Sequence, residues 1–275
     1  MGSGFKCANL KFMAIRIVQV DAFTNRPFEG NPAAVCVLSE PAPDAWMALV
    51  AREMNLSETA FLVPQGDGYN LRWFTPAVEV ALCGHATVAA AHVLWEDGHL
   101  AAGCQARFHT RSGLLLADRH GEWIELDFPA QIALPAEAPP ALLPALRAEA
   151  RAVCRNRFDY LVELPSEEAV RAVKPDFTAL REVEVRGVIV TARASEAGFD
   201  FVSRFFAPAV GVDEDPVTGS AHCALAPYWA ERLGKLDMTA HQVSARGGVV
   251  RVKLRGDRVI LGGQAVTVMT GELLA

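Results

Sequence analysis

Val78-Glu79-Val80-Ala81-Leu82-Cys83-Gly84-His85-Ala86-Thr87 opens a run that stays almost wholly apolar through Trp95 until Gly98, and its reading decides the fold. The spacing predicts a helix with almost no polar face. Such a helix is stable when buried on all sides, which puts it inside a shell of strands and not on a surface. A second stretch repeats the pattern: Gly219-Ser220-Ala221-His222 leads through Trp229 to Gly234 as Gly84-His85-Ala86-Thr87 leads through Trp95 to Gly98. The two starts lie 219 − 84 = 135 residues apart, close to half of the 275-residue chain. We read this as an internal duplication; a compositional likeness between two Ala- and Trp-bearing helices is the competing reading. The duplication predicts two α/β domains, each wrapping strands around one buried helix.

Outward from the first helix, Ile15–Val20 and Ala33–Leu38 predict two strands, the second entered through the turn Glu29-Gly30-Asn31-Pro32. Asp44 is expected to N-cap a helix whose apolar positions Trp46, Leu49 and Val50 recur up to Met54. Thr59–Val63 and Leu71–Phe74 read as strands. The stretch 129–150 carries Pro129, Pro135, Pro139, Pro140 and Pro144 and reads as the boundary between domains 13–128 and 129–275, with the last strand, near 265–275, able to pack back on the first domain. Beyond it, Tyr160–Glu163, Val188–Thr191 and Phe201–Phe206 predict strands, and Gly211 to Ser220 a loop. Val250, Val252 and Leu254 alternate with Arg251, Lys253 and Arg255 in a further strand. Residues 1–12, MGSGFKCANLKF, have no apolar segment and are expected to be a non-structural leader.

Hydrophobic residues make up 51% and charged residues 21% of the chain, enough for a sizeable core. Lys and Arg number 26 against 32 Asp and Glu, and the resulting charge of −6 has the wrong sign for a phosphate-backbone binder, so no nucleic-acid partner is expected. The longest apolar runs are far short of the roughly 18 residues that cross a bilayer, so no membrane partner is expected either. Six cysteines are scattered without a C-x-x-C pair, which fits reduced thiols and a cytoplasmic setting.

Each helix begins in a turn of Gly and small residues, which leaves backbone N–H groups unpaired at the positive end of the helix dipole. If the two domains face each other, both ends converge on one cleft suited to a small carboxylate, lodged between Gly84 and Gly219. Taken singly, each is an ordinary capped helix, with Thr218 and Ser220 as cap residues. His85 sits where it can donate to a developing oxyanion or exchange a proton, or it is a satisfied buried histidine. Asp215 belongs to an acidic turn, and Glu58 to the start of a strand. Cys83 is a candidate thiolate base, its pKa lowered by the helix end, or a structural buried cysteine. Val217 occupies the corresponding place in the second loop, so a two-thiol racemase cannot be assembled. His85, His92 and His222 lie on apolar helices without H-E-x-x-H spacing or carboxylate partners, and no metal is expected.

Asp21-Ala22-Phe23-Thr24, Phe28-Glu29-Gly30-Asn31-Pro32-Ala33-Ala34-Val35, Asn55-Leu56-Ser57-Glu58-Thr59-Ala60-Phe61, Arg72-Trp73-Phe74-Thr75-Pro76, Cys83-Gly84-His85-Ala86-Thr87 and Glu214-Asp215-Pro216-Val217-Thr218-Gly219-Ser220-Ala221-His222 together resemble the PhzF-like phenazine-biosynthesis family. The resemblance runs from about residue 14 to the C-terminus. It implies the diaminopimelate-epimerase-like fold, of class α+β, with two pseudo-symmetric α/β barrel-like domains, each a mixed sheet wrapped around a central apolar helix. It also implies a homodimeric, cofactor-independent isomerase of a biosynthetic kind, moving a proton between carbons of a small unsaturated cyclic carboxylate. Glu58 then resembles the proton-shuttling residue, with a pKa expected to be raised toward neutrality by burial. His85 and Asp215 resemble the flanking groups that orient the substrate, and Gly84, Gly219 and Ser220 the turns that hold its carboxylate. Two alternatives stand beside this: an epimerase using Cys83 with Glu58, and a non-catalytic carboxylate-binding protein.

Overall fold

The computed structural model describes residues 14–274. The expected leader at 1–12 lies outside them. The first half runs β1 (Ile15–Ala22), β2 (Asn31–Val37), α1 (Asp44–Met54), β3 (Glu58–Gln65), β4 (Gly68–Phe74), β5 (Glu79–Val80), α2 (Gly84–Glu96), β6 (Ala106–Thr110), β7 (Gly113–His120) and β8 (Trp123–Pro129). The second runs β9 (Leu134–Pro135), α3 (Leu142–Leu146), β10 (Ala152–Arg155), β11 (Asp159–Glu163), α4 (Glu167–Ala172), α5 (Phe177–Arg181), β12 (Gly187–Arg193), β13 (Phe201–Ala207), β14 (Val212–Asp215), α6 (Gly219–Leu233), β15 (Asp237–Gln242), β16 (Gly248–Arg255), β17 (Arg258–Gly263) and β18 (Ala265–Leu273). Among the described residues no helix is long and apolar enough to cross a membrane.

Along β1–β2–β3–β4–β6–β7–β8 the successive pairings are antiparallel, parallel, antiparallel, parallel, antiparallel and antiparallel. Along β10–β11–β12–β13–β15–β16–β17 the same senses recur in the same order. The duplication thus extends from the two helices to the whole hydrogen-bond ladder. The halves join where β8 and β17, equivalent strands, lie antiparallel with Arg258 opposite Pro129 and Gly263 opposite Ile124. They also exchange strands. β9, which follows β8 and so belongs by the repeat to the first half, pairs with β10 of the second, and β18, which follows β17, pairs with β1 of the first, Ile15 opposite Leu273.

Each apolar helix is buried as its sequence requires. α2 packs against β1, β2, β3, β8 and β18, and α6 against β15, β16 and β17. Ala86, Ala89, Ala90 and Ala91 of α2 and Ala224 and Ala226 of α6 are fully enclosed, their short side chains letting strands approach on every side. A second core under α3, α4 and α5 and a third under α1 cover the outer faces of the sheets.

Two expectations are corrected. Asp44 does not cap α1: Pro43 is the N-cap residue, without a side-chain bond, and the Asp44 carboxylate is drawn 2.7 Å from Arg72 on β4 instead. The segment expected as a loop from Gly211 contains β14, recruited by pairing with β13. The Pro-rich stretch 129–150 contains α3, whose Leu142, Ala145 and Leu146 are buried in the second core.

Phe23 lies between the halves at φ 64° and is fully buried, held there by bonds from its N–H to the Gln264 carbonyl (2.7 Å) and from the Val249 N–H to its own carbonyl (2.8 Å). A Cβ on Gly263 would stand 2.5 Å from the Phe23 ring. Gly263→Ala is expected to lower the unfolding free energy by about 2 kcal/mol through overpacking against a ring that cannot yield, read from urea denaturation.

Candidate active site

Asn55 ends α1 at φ 50°, a left-handed conformation that Asn tolerates better than most residues, and the chain turns into β3 with Glu58 as its first residue. β3 runs parallel to β2, Glu58 beside Ala33, and strand alternation puts Glu58 on the face of Ala60 and Leu62, toward α2. From the other side, Cys83 supplies the extended N-cap residue of α2 and His85 its second residue. The His85 ring lies between the two: Nε2 is 3.1 Å from Glu58 Oε2, and Nδ1 is 3.5 Å from Cys83 Sγ. His85 is buried, while the Glu58 side chain keeps 17% of its surface exposed, enough to meet a ligand.

Asp215 comes from the other half, at the end of β14 and just ahead of Thr218, the N-cap residue of α6. Its Oδ2 accepts from Thr218 Oγ1 at 2.5 Å and its Oδ1 from Asn31 Nδ2 at 2.7 Å. Asn31 is fully buried; it also donates to the Val217 carbonyl (2.9 Å) and accepts from Ser57 Oγ (3.1 Å). It therefore ties the residue next to Glu58 to Asp215 across the two halves. Gln242 fixes the same turn, accepting from the Thr218 N–H at 2.9 Å and donating to the Asp215 carbonyl at 2.7 Å.

The helix starts do meet, though not as expected. A Cβ on Gly84 would lie 3.7 Å from Gly219 Cα, so the two turns abut backbone to backbone and leave no room for an anion between them. An anion held by both first turns would have to approach from the side where Gly84 and Ser220 are half-exposed. Neither N-cap side chain bonds its own helix, and Thr218 spends its hydroxyl on Asp215. The N-cap position also shows that Thr218, not Val217, matches Cys83; the second half still offers no thiol there.

Burial works to raise the Glu58 pKa, but the adjacent charge of His85 and polar contacts with His85 and Cys83 outweigh it, and the carboxyl sits below its ordinary 4.5. This reverses the expected upward shift, because the partner imidazole lies in contact. For His85, burial opposes the charge while Cys83 and Glu58 favour it, and the net shift is well above 6.5. The resting pair is carboxylate and imidazolium. Asp215 is raised, by burial first, with Glu58 adding to it and His85, Thr218 and Asn31 opposing. Cys83 is pushed up to about 11 by burial and the Glu58 charge, so the helix end does not make it a thiolate.

His222 is fully buried and points Nδ1 at the Thr218 carbonyl (2.8 Å); burial lowers it to about 4, a neutral structural residue. His92 faces Thr267 at 3.0 Å. The expectation that no histidine has a carboxylate partner is overturned at His85, since Glu58 stands against it. Asn31 and Gln242 went unread as site residues. Asn31 looked like part of a turn, and the one available signal was a polar residue at the mouth of an apolar strand.

The family model described as phenazine biosynthesis-like protein matches residues 20–271. A protein of Halalkalibacterium halodurans described as an uncharacterized isomerase is 55% identical over 263 residues, covering 95% of this chain and 99% of that protein. The crystal structure of a phenazine biosynthesis protein of the PhzF family from Enterococcus faecalis is 43% identical, with TM-score 0.91, covering 95% of this chain and 99% of that one. A probable proline racemase from Agrobacterium radiobacter, 14% identical with TM-score 0.61 and covering 94% of this chain and 92% of that one, shares the fold alone. By these relatives the chain is an enzyme of the isomerase class on a diaminopimelate-epimerase-like fold. The chain belongs to the PhzF-like, phenazine-biosynthesis-like family.

Proposed function

We propose that the protein is a cofactor-independent isomerase that moves a proton between two carbons of a small, unsaturated, cyclic carboxylate, with Glu58 as base and then acid. The observation that carries this reading is an asymmetry in the duplication. Glu58 opens β3, whereas the residue opening the equivalent strand β12 is Gly187, where a Cβ would fall 2.3 Å from the Phe205 ring. The second half has no base at that place, and a single carboxylate suits a proton shift along one face. An epimerase needs bases on opposite faces of a carbon, each about 3 to 3.5 Å from it and so about 6 Å or more apart. Donor atoms of Glu58 and Cys83 lie within 4.8 Å of each other, too close for bases on opposite faces of one carbon, which argues against that alternative.

The first turns of α2 and α6, through N–H groups of Gly84, Gly219 and Ser220, hold the substrate carboxylate. Glu58 starts ionised and takes a C–H proton. The negative charge spreads through the unsaturated ring toward the carboxylate, where the helix ends and the His85 imidazolium stabilise it. Glu58, now neutral, returns the proton to a second carbon. Entry of a substrate anion and loss of water raise Glu58 from its resting value toward what a C–H base requires. Asp215, whose environment pushes its pKa the opposite way, orients the ring beside Asn31. A cytoplasmic setting is consistent with five free cysteines among the described residues, and a homodimer follows from family likeness alone.

The test is incubation with candidate cyclic carboxylates in deuterium oxide. Exchange at a ring carbon, read by mass and proton spectra, is expected; tight binding without exchange from any ligand would leave a binding protein instead. The pH profile provides a second check. Glu58 works ionised and is depressed, so kcat/KM should fall in acid only below about pH 4.5, while His85 works charged and is raised, so the alkaline fall should lie above about pH 6.5. An alkaline limb that persists unchanged in His85→Asn would remove His85 from this role.

A further inference from the structure

We propose that Glu58, Cys83 and His85 also form a binding site for a soft divalent cation of the zinc class, which blocks the cleft when it is filled. The three offer a carboxylate oxygen, a sulfur and an imidazole nitrogen, a set that zinc accepts and that magnesium or calcium does not favour. One donor atom from each lies within 4.8 Å of the other two. With Zn–S about 2.3 Å and Zn–N and Zn–O about 2.0 to 2.1 Å, ligands of one zinc stand roughly 3.3 to 3.6 Å apart. His85 Nε2 to Glu58 Oε2, at 3.1 Å, is close to one such edge. Cys83 Sγ instead meets the opposite ring nitrogen, Nδ1, at 3.5 Å, so it has to swing round the ring to reach an ion held on Nε2.

A second observation points to a ligand here. Glu58 Oε2 and His85 Nε2 are buried atoms without a well-directed hydrogen bond; they face each other as an ion pair but off the line of an N–H···O contact. A cation between them would satisfy both. Its fourth position opens to the cleft, on the side where Glu58 is partly exposed, and takes water or an anion. Binding displaces the Cys83 thiol proton and the His85 imidazolium proton, two protons released for one ion bound, and Glu58 enters already ionised. Asp215, from the facing half, is the other ionisable group that His85 and Glu58 meet. Affinity therefore rises with pH as these protons become easier to remove.

The whole protein, stripped of metal with a chelator, is titrated with Co2+ alone. The expected result is a thiolate-to-cobalt charge-transfer band saturating at one ion per chain, displaced by Zn2+ and unaffected by Mg2+. Cys83→Ser should abolish the band, and His85→Asn should weaken Co2+ binding at least tenfold, with circular dichroism reporting that both variants are folded. Absence of a thiolate band in the unmodified protein, or a band that survives Cys83→Ser, overturns the proposal. Because the readout is absorbance, that failure leaves the deuterium-exchange test of the isomerase reading untouched.

Discussion

Glu58→Gln is expected to lower turnover by about 10²- to 10⁴-fold, the usual weight of a positioned general acid and base, with kcat falling and folding unchanged. Gln keeps the volume and one oxygen, so β3 and its pairing with β2 are undisturbed. What disappears is the charge. With it goes part of what holds the His85 imidazolium, so any residual activity should lose its alkaline limb at lower pH than the parent enzyme does. Steady-state kinetics with a ligand found by deuterium exchange measures both effects. A variant turning over at the parent rate would end the assignment of Glu58.

Arg246→Ala is expected to lower the unfolding free energy by about 3 kcal/mol, the low end for breaking a buried pair, since Arg246 itself is a third exposed and water can enter its place. Arg246 donates to Asp21 Oδ1 (2.8 Å) and to the carbonyls of Gly30 (2.8 Å) and Glu29 (2.9 Å). Asp21 is only 1% exposed, and without Arg246 its remaining bond is from the Phe28 N–H at 2.7 Å. The segment so clasped leads directly into Asn31, so a drop in kcat should accompany the loss of stability. Chemical denaturation of the variant beside Arg246→Lys checks the point; a loss under about 1 kcal/mol would show that the clasp carries little weight.

Much of this architecture was legible because it rests on local pattern. The two apolar helices declare their burial by having no polar face, and Ile15–Val20 or Val250–Leu254 declare their strands by alternation or β-branching. Glu58, His85 and Asp215 stand in motifs that mark the family. What escaped reading depends on distant partners. The depressed Glu58 pKa requires knowing that His85 lies against it, and Asn31 acquires its role only by reaching Asp215, 184 residues along. Asp44 was read as a cap because nothing nearby betrays Arg72 as its partner. In 129–150 the prolines hid a short helix whose Leu142 and Leu146 are held by a core that other segments build.

The strand exchange between the halves has a consequence for how the molecule is made. During synthesis β1 leaves the ribosome well before β18, the strand that lies along its outer edge. Until then Ile15–Ala22, a β-branched stretch, offers an open row of backbone donors and acceptors to any passing strand. In a crowded refolding mixture the most available complement is the β18 of a neighbouring copy, so slow dilution at low protein concentration should favour chains closed by their own β18, and rapid concentration should favour interlocked copies.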